Sequence, residues 1–387
     1  MIKKWLLACF TVVYAGTNLQ AQQEDQTLKL WYDKPATQWV EALPLGNGRI
    51  GAMVFGDPVH EQFQLNEETV WGGSPHNNTN PKAKDALPRI RQLIFEGKNK
   101  EAQELCGPTI CSQSANGMPY QTVGSLHLDF DGINEYNDYY RDLDIEKAIA
   151  TTRFTANGVT YTREAYTSFP DQVLVIRLTA SQKRSISFTA KYTTPYKSGV
   201  VRCISPRKEL QLNGKANDHE GIEGKVEFTA LTCIENNGGK LEILSDSTLQ
   251  VKDANSVVLY VSVGTNFVNY KDVSGDALNS AQQYLKQVNK NYTKSKASHI
   301  NAYQKYFNRV SLNLGSNAQI NKPTDVRVKE FSSSFDPQMA ALYFQFGRYL
   351  LNAVLNRVDR LPTCRVSGTT NYVLPGMANI PLTSTLK

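Results

Sequence analysis

The stretch that decides the fold is TTRFTANGVTYTREAY, residues 151–166. Its two halves, residues 151–154 and 159–166, alternate in a period of two, which is typical of half-buried β-strands. Between them stands Asn157-Gly158, a dipeptide that fits a two-residue β-turn because both positions accept a positive φ. The stretch therefore predicts an antiparallel hairpin with one buried face.

The same alternation extends from about residue 28 to residue 270. Further strands are predicted at residues 124–130, 249–251 and 256–263, and two further strand pairs at residues 173–179 with 185–193 and residues 225–235 with 240–244. One helix, predicted at residues 81–105, interrupts them. So many strands without regular helices between them predict a mainly β fold, a large antiparallel sandwich.

After residue 270 the sequence changes to a helical pattern. Helices are predicted at residues 276–288, 297–310 and 336–351. The last of them carries an apolar stripe of Met339, Leu342, Tyr343 and Phe346. The chain is therefore a β domain followed by the beginning of a helical one.

Composition excludes several classes of protein. The 387 residues are 41% hydrophobic with a net charge of +6, which excludes a disordered or collagen-like chain. Beyond the N-terminus no apolar run is long enough for a membrane span. The basic residues are scattered and form no patch interleaved with aromatic residues, so nucleic-acid binding is not indicated.

Residues 1–21, MIKKWLLACFTVVYAGTNLQA, have the features of a secretory signal peptide. Lys3 and Lys4 form the basic region, and Leu19-Gln20-Ala21 is a cleavage site. The segment predicts export to the periplasm or the medium. A lipoprotein anchor at Cys9 is less favoured because the apolar run continues past that residue. The remaining alternative is a buried N-terminal helix.

Export permits disulfides, and four cysteines are candidates. Cys106 could pair with Cys111, and Cys203 with Cys233, while free buried thiols remain an equal alternative. The cysteine spacing fits no zinc site, and the histidines do not approach metal-ligand spacing, so no metal or cofactor is predicted.

Two motifs suggest chemistry that their context does not support. Gly46, Gly48 and Gly51 match G-x-G-x-x-G, but a strand follows them instead of a helix, so a tight β-turn is predicted and not a dinucleotide site. Glu67 and Glu68 are adjacent carboxylates, and neighbours in a strand point to opposite faces, so they cannot form the opposed pair of a glycosidase.

A family resemblance rests on residues 30–75, LWYDKPATQWVEALPLGNGRIGAMVFGDPVHEQFQLNEETVWGGSP. This stretch, and DPQMAALYFQFGRYLL at residues 336–351, resembles glycoside hydrolase family 95, the α-L-fucosidases and their relatives. The resemblance covers about residues 28–351 and implies a β super-sandwich, a helical linker and an (α/α)6 catalytic barrel.

The resemblance also implies inverting hydrolysis of terminal α-L-fucosyl linkages in fucosylated oligosaccharides or polysaccharides. A Glu would protonate the leaving oxygen, and Asn residues with an Asp would position the water. All of these groups belong to the barrel, so no catalytic residue is assigned here. Residues that could border the sugar pocket are Asn47, Arg49, Asn66, Glu67 and Trp71, although a role in stabilising the fold is favoured for them. The alternative is a carbohydrate-binding or interface β-sandwich without catalysis, and nothing in the sequence indicates an oligomeric state.

Residues 352–387 do not resemble the family as a peptide, but their codons can encode its continuation in another frame. Shifted codons for residues 356–360 contain P-G-G-Q, those for residues 375–380 contain W-D-G-K-Y, and those for residues 381–387 contain I-N-I-N-T-E. We expect that a single-base loss near Asn352 shifted the reading frame. A natural short protein with an unrelated tail is the alternative, and sequencing the gene across this region decides between them.

These inferences divide the chain into five parts. They are a signal peptide (1–21), a β-sandwich domain (22–272), a helical linker (273–335), the first helix of a truncated barrel (336–351) and an out-of-frame tail (352–387).

Overall fold

The computed structural model describes residues 28–112 and 117–354. Within these residues, sixteen strands form two antiparallel sheets that enclose the main hydrophobic core. The first sheet has nine strands in the spatial order β1 (Lys29–Tyr32), β6 (Asn137–Asp144), β7 (Ile149–Ala156), β8 (Val159–Thr167), β9 (Leu174–Ala180), β16 (Ser256–Thr265), β13 (Glu227–Asn237), β12 (Glu209–Lys215) and β11 (Val200–Ile204). The second has seven, in the order β14 (Lys240–Ser245), β15 (Thr248–Ala254), β10 (Ile186–Thr193), β5 (Gly124–Asp129), β4 (His60–Glu67), β3 (Ile50–Val54) and β2 (Leu43–Gly46).

The hairpin predicted at residues 151–166 is confirmed. Strands β7 and β8 pair in register from Ala150 opposite Ala165 to Ala156 opposite Val159. Asn157 and Gly158 both have positive φ, +51° and +73°, as a two-residue turn matched to strand twist requires. The prediction of a mainly β sandwich followed by helices is confirmed as well.

The two other predicted strand pairs are wrong. β9 and β10 follow each other in sequence but lie in different sheets, and so do β13 and β14. Alternation shows only that one face of a strand is buried. A strand that crosses to the facing sheet buries the same face against the same core, so the sequence pattern is identical in both cases.

The helix predicted at residues 81–105 is two helices, α1 (Ala83–Phe95) and α2 (Asn99–Thr109). Gly97 lies between them with φ +74°. Its N–H donates to Ile94 O (3.0 Å), and the Lys98 N–H donates to Leu93 O (2.8 Å). These paired bonds end α1 in a glycine C-cap, which apolar periodicity does not reveal.

Up to residue 354, where the described part ends, four α-helices follow the sandwich: α3 (Ala277–Gln287), α4 (Tyr292–Phe307), α5 (Thr324–Glu330) and α6 (Pro337–Val354). Three were predicted, and the seven-residue α5 is too short to show a helical period. The apolar stripe predicted on α6 is only partly buried. Leu342 is buried and Phe346 packs on the sandwich core, whereas Tyr343 is 75% exposed.

Neither predicted disulfide is present, since the four cysteines are free thiols. Strand β12 lies between the strands that carry Cys203 and Cys233, so their Cα atoms are about two strand spacings, roughly 10 Å, apart, beyond disulfide reach. Cys106 packs into the α1–α2 contact, while Cys111 is exposed beyond the end of α2.

Two predicted parts of the chain fall outside the described residues: the signal peptide, and the tail apart from residues 352–354, which continue α6. Among the described helices, none has the length and apolar content to cross a membrane.

Candidate functional site

The predicted pocket-rim residues gather at the turn between β2 and β3. Asn47 closes this turn, because its Oδ1 accepts from the backbone N–H groups of Arg49 (3.1 Å) and Ile50 (3.0 Å). Its Nδ2 donates to Ser168 O (2.8 Å), just beyond the end of β8 in the other sheet. The side chain is 1% exposed. Asn47 therefore ties the turn to the facing sheet and is not available to a ligand.

Arg49 is enclosed in the same way. Its guanidinium donates to Val263 O and Gln172 O, and its Nε donates to Gln172 Oε1 (3.3 Å). The Glu67 carboxylate lies 3.7 Å away, and the Tyr284 ring centroid of α3 lies 3.7 Å from Cζ. Arg49 therefore joins β3, the nine-stranded sheet and the first linker helix.

Glu67 is the carboxylate partner of this arginine and is buried. Its Oε2 accepts from the Thr69 backbone N–H (2.7 Å) and from the Thr69 hydroxyl (2.6 Å). Burial raises the pKa of the Glu67 carboxyl, while Arg49 and the Thr69 donors act to lower it. A carboxylate held this way stabilises the turn and has no access to a substrate.

Asn66 and Glu68 face a small cleft beside the turn, which has a volume of about 80 Å³. Asn66 is 9% exposed, and its Oδ1 has no hydrogen-bond partner among the described residues. Trp71 lies to one side, where its indole N–H donates to Glu68 O (2.9 Å) and its ring packs at 5.2 Å on Tyr120. The cleft is smaller than the roughly 300 Å³ that ligand pockets start from, so it holds water at most.

The C-terminal end of α6 covers the turn, which sequence reasoning did not identify. The Gly48 N–H donates to Ala353 O (2.7 Å), and the Tyr349 hydroxyl donates to Pro44 O (2.6 Å). A Cβ on Gly46 would lie 2.9 Å from Ala353 O, so only glycine permits this approach. The sequence did contain one sign of this contact, because Tyr349 follows the apolar residue Leu342 at a spacing that places both on the same face of the helix.

The two carboxyl groups of this region, Glu67 and Glu68, are not arranged as the pair of a glycosidase. Glycosidases of both stereochemical types use two carboxyl groups that face each other across the sugar. In the described part of this region Glu67 is closed off by Arg49, and Glu68 lines the small cleft on the other side, so the two do not form such a pair.

Comparison with known proteins agrees with this arrangement. Residues 30–270 match the family model for the N-terminal domain of glycosyl hydrolase family 65. The chain belongs to the glycosyl hydrolases that carry this domain. Residues 291–363 match the family 95 catalytic domain, so the family 95 resemblance is confirmed. This second match begins in the linker and continues 12 residues beyond residue 351, where we expected the family sequence to end.

Three curated relatives give the extent of the similarity. "Alpha-L-fucosidase 2" of Arabidopsis thaliana is 32% identical over 369 residues, covering 86% of this chain and 43% of the relative. "Probable alpha-fucosidase A" of Aspergillus niger is 28% identical, covering 83% and 42%. The Aspergillus oryzae protein of the same name is 24% identical, covering 86% and 48%. The chain thus spans less than half the length of each relative.

Proposed function

We propose that the chain is the N-terminal portion of an exported α-L-fucosidase-like glycoside hydrolase and has no hydrolytic activity by itself. In the complete enzyme the substrate is a fucosylated oligosaccharide or polysaccharide, from which a terminal α-L-fucosyl group is hydrolysed with inversion. The names of the three relatives support the substrate class, and their length supports the assignment as a portion.

The observation that carries the proposal is the contact between α6 and the β2–β3 turn. Helix α6 lies within the stretch that matches the family 95 catalytic domain. Across this contact the Tyr349 hydroxyl donates to Pro44 O (2.6 Å). In this proposal the β domain fixes the position of α6 as the first barrel helix, and the groups that act on the sugar follow in the barrel.

Activity measurements on two chains test the proposal. The first is the 387-residue chain, and the second is encoded by a gene in which one base is restored near codon 352. We expect 4-nitrophenyl α-L-fucoside to be hydrolysed by the second chain only. Turnover by the 387-residue chain above a blank would overturn its proposed inactivity. A restored, folded chain that does not act on the fucoside would overturn the proposed substrate class. A gene in which the alternative reading frame does not continue would overturn the frameshift hypothesis.

Export is part of the same proposal and has a separate test. The basic residues Lys3 and Lys4 followed by an apolar run support cleavage after Ala21. Mass spectrometry of the protein from a periplasmic fraction should give a mature chain that begins at Gln22. A chain that keeps Met1 and stays in the cytosol would contradict export.

A further inference from the structure

A polar groove of about 830 Å³ lies on the outer face of the nine-stranded sheet, far larger than the cleft beside α6. Strands β1, β6, β7 and β8 form its floor, and residues from α4 and from the turn at 320–321 form its wall. Its volume is in the usual range for small-molecule sites. Nothing described above accounts for it.

The floor of the groove is a row of side chains that crosses four strands. Trp31 pairs with Asp142, Asp142 with Thr151, and Thr151 with Glu164. Their sequence neighbours Leu143 and Ala165 point into the hydrophobic core, so this row points outward. With strands about 4.8 Å apart the row is roughly 14 Å long, which suits one or two sugar rings.

Two aromatic rings form one end of the groove. Trp31 and Tyr140 lie on adjacent strands, with ring centroids 5.9 Å apart and an angle of 22° between their planes. Both side chains are half-buried. Aromatic rings of this kind offer an apolar face on which a pyranose ring can pack.

Asp142 is the observation that indicates a missing ligand. It is 3% exposed, and its Oδ2 accepts from the Tyr140 hydroxyl (2.8 Å) and lies 3.2 Å from Lys29 Nζ. Its Oδ1 has no hydrogen-bond partner among the described residues, and neither has the indole Nε1 of Trp31 directly opposite. Buried polar atoms without a partner are uncommon, so an unpartnered acceptor and an unpartnered donor on directly paired residues indicate a hydroxyl-bearing ligand.

The charges of the groove favour a neutral ligand. Its carboxylates are each paired with a lysine: Asp142 with Lys29 (3.2 Å), Asp144 with Lys147 (2.7 Å) and Glu164 with Lys296 (2.5 Å). Arg153 adds one positive charge, and its guanidinium lies 6.0 Å from the Tyr140 ring centroid. Because the lysines are paired, an anionic ligand would have to compete with carboxylates for them.

We propose that this groove binds a neutral saccharide, which packs a ring on Trp31 and Tyr140 and donates a hydroxyl hydrogen bond to Asp142. The site is separate from the α6 contact and does not rest on the fucosidase proposal. A chain without any hydrolytic activity would still bind sugar here.

Calorimetric titration of the purified 387-residue chain tests the site. The probes are 2′-fucosyllactose and cellotetraose, with trigalacturonic acid as an acidic comparator. We expect at least one neutral probe to bind saturably, with a Kd on the order of 1 mM. No saturation by either neutral probe at about 10 mM, or binding of the acidic probe alone, would overturn the proposal.

Three variants tie the binding to the groove. Asp142→Asn keeps the side-chain volume and Trp31→Ala removes one ring, and each should weaken binding by about tenfold, equivalent to about 1.4 kcal/mol. Asp253→Asn is the matched control, since Asp253 is an exposed residue outside the groove, and it should leave Kd unchanged. If Trp31→Ala does not fold, Trp31→Phe replaces it. Binding that survives both groove variants in folded protein would overturn the assignment.

Discussion

At the scale of single residues, the pair formed by Arg49 and Glu67 has a strong effect on stability. Both side chains are at most 4% exposed. Arg49→Met leaves the Glu67 carboxylate buried without its cation, which should lower the free energy of unfolding by about 3 to 5 kcal/mol. Urea denaturation of the variant at neutral pH measures this loss.

A double variant is the control for this pair. In Arg49→Met with Glu67→Gln the uncompensated charge is gone, so the loss should be smaller than the sum of the two single losses. Strict additivity would mean that the two side chains do not interact.

The burial of Arg49 could not be predicted from the sequence around it. A polar residue after a glycine turn normally lies at the surface, and the sequence contains no local sign to the contrary. The burial comes from Gln172, Val263 and Tyr284, which are more than a hundred residues away in the chain. Local patterns predicted the turn, but not which side chains of the turn are closed off from solvent.

Because His299 is buried, we expect the chain to lose stability in acid. Its ring stacks on Tyr166 (4.7 Å), its Nε2 faces Lys147 O (3.0 Å), and Asp171 and Lys296 are the charged groups that influence it. Burial lowers the pKa of this imidazole from 6.5 to about 4. As the pH falls, the unfolded chain binds a proton at this histidine before the folded chain does. The stability that the neutral, buried ring contributes is therefore complete above pH 6.5 and is lost as the pH falls towards 4.

The free energy of unfolding should change by about 3 kcal/mol over this range, because each pKa unit corresponds to roughly 1.4 kcal/mol. Urea denaturation between pH 7 and pH 4 should show that His299→Gln is less stable at neutral pH but loses less as the pH falls. His76→Gln is the control for the substitution itself, because that ring is exposed, and its free energy of unfolding at neutral pH should stay within about 0.5 kcal/mol of the parent chain. A His299→Gln profile parallel to that of the parent would contradict the prediction.

At the scale of elements, replacing two glycines by alanine should have opposite effects on the contact between α6 and the β2–β3 hairpin. A Cβ on Gly46 would lie 2.9 Å from Ala353 O and 3.3 Å from Ala353 Cβ, so Gly46→Ala should push away the end of α6. A Cβ on Gly347 would meet nothing within 4 Å, so Gly347→Ala should stabilise the helix by about 1 kcal/mol.

Amide hydrogen exchange over residues 349–354 measures both changes. Exchange should be faster in Gly46→Ala and slower in Gly347→Ala, with the amides of β7 and β8 unchanged in both. Equal protection in the two variants would mean that the helix end is not held by the hairpin.

The elements also show what periodicity can and cannot predict. Strands β7 and β8 were predictable because their turn residues fix the partner. Strands β9 and β10 were not, because a crossover between sheets leaves the alternation unchanged. The α1–α2 break depends on one residue, Gly97, whose capping bonds have no apolar signature.

At the scale of the whole molecule, the linker and α6 expose large apolar side chains. Phe335 is 81% exposed and Tyr343 is 75% exposed, and both lie in the region that matches the family 95 catalytic domain. In the 387-residue chain this surface should promote association. The double variant Phe335→Glu with Tyr343→Glu should therefore aggregate more slowly, as measured by light scattering. Its free energy of unfolding should change by no more than about 0.5 kcal/mol.

The frame-restored chain gives the opposite expectation, and that reversal is what separates a covered surface from an ordinary exposed one. If the remaining barrel helices pack on this face, the same two charges become buried without partners. The double variant should then lose several kcal/mol of unfolding free energy, and it should also lose its activity on 4-nitrophenyl α-L-fucoside. Tyr270→Glu is the matched control, because Tyr270 is also 75% exposed but belongs to the β domain. It should be tolerated in both chains. Full activity of the restored double variant would show that the barrel leaves this face in water, with α6 held by the β2–β3 hairpin, α4 and α5.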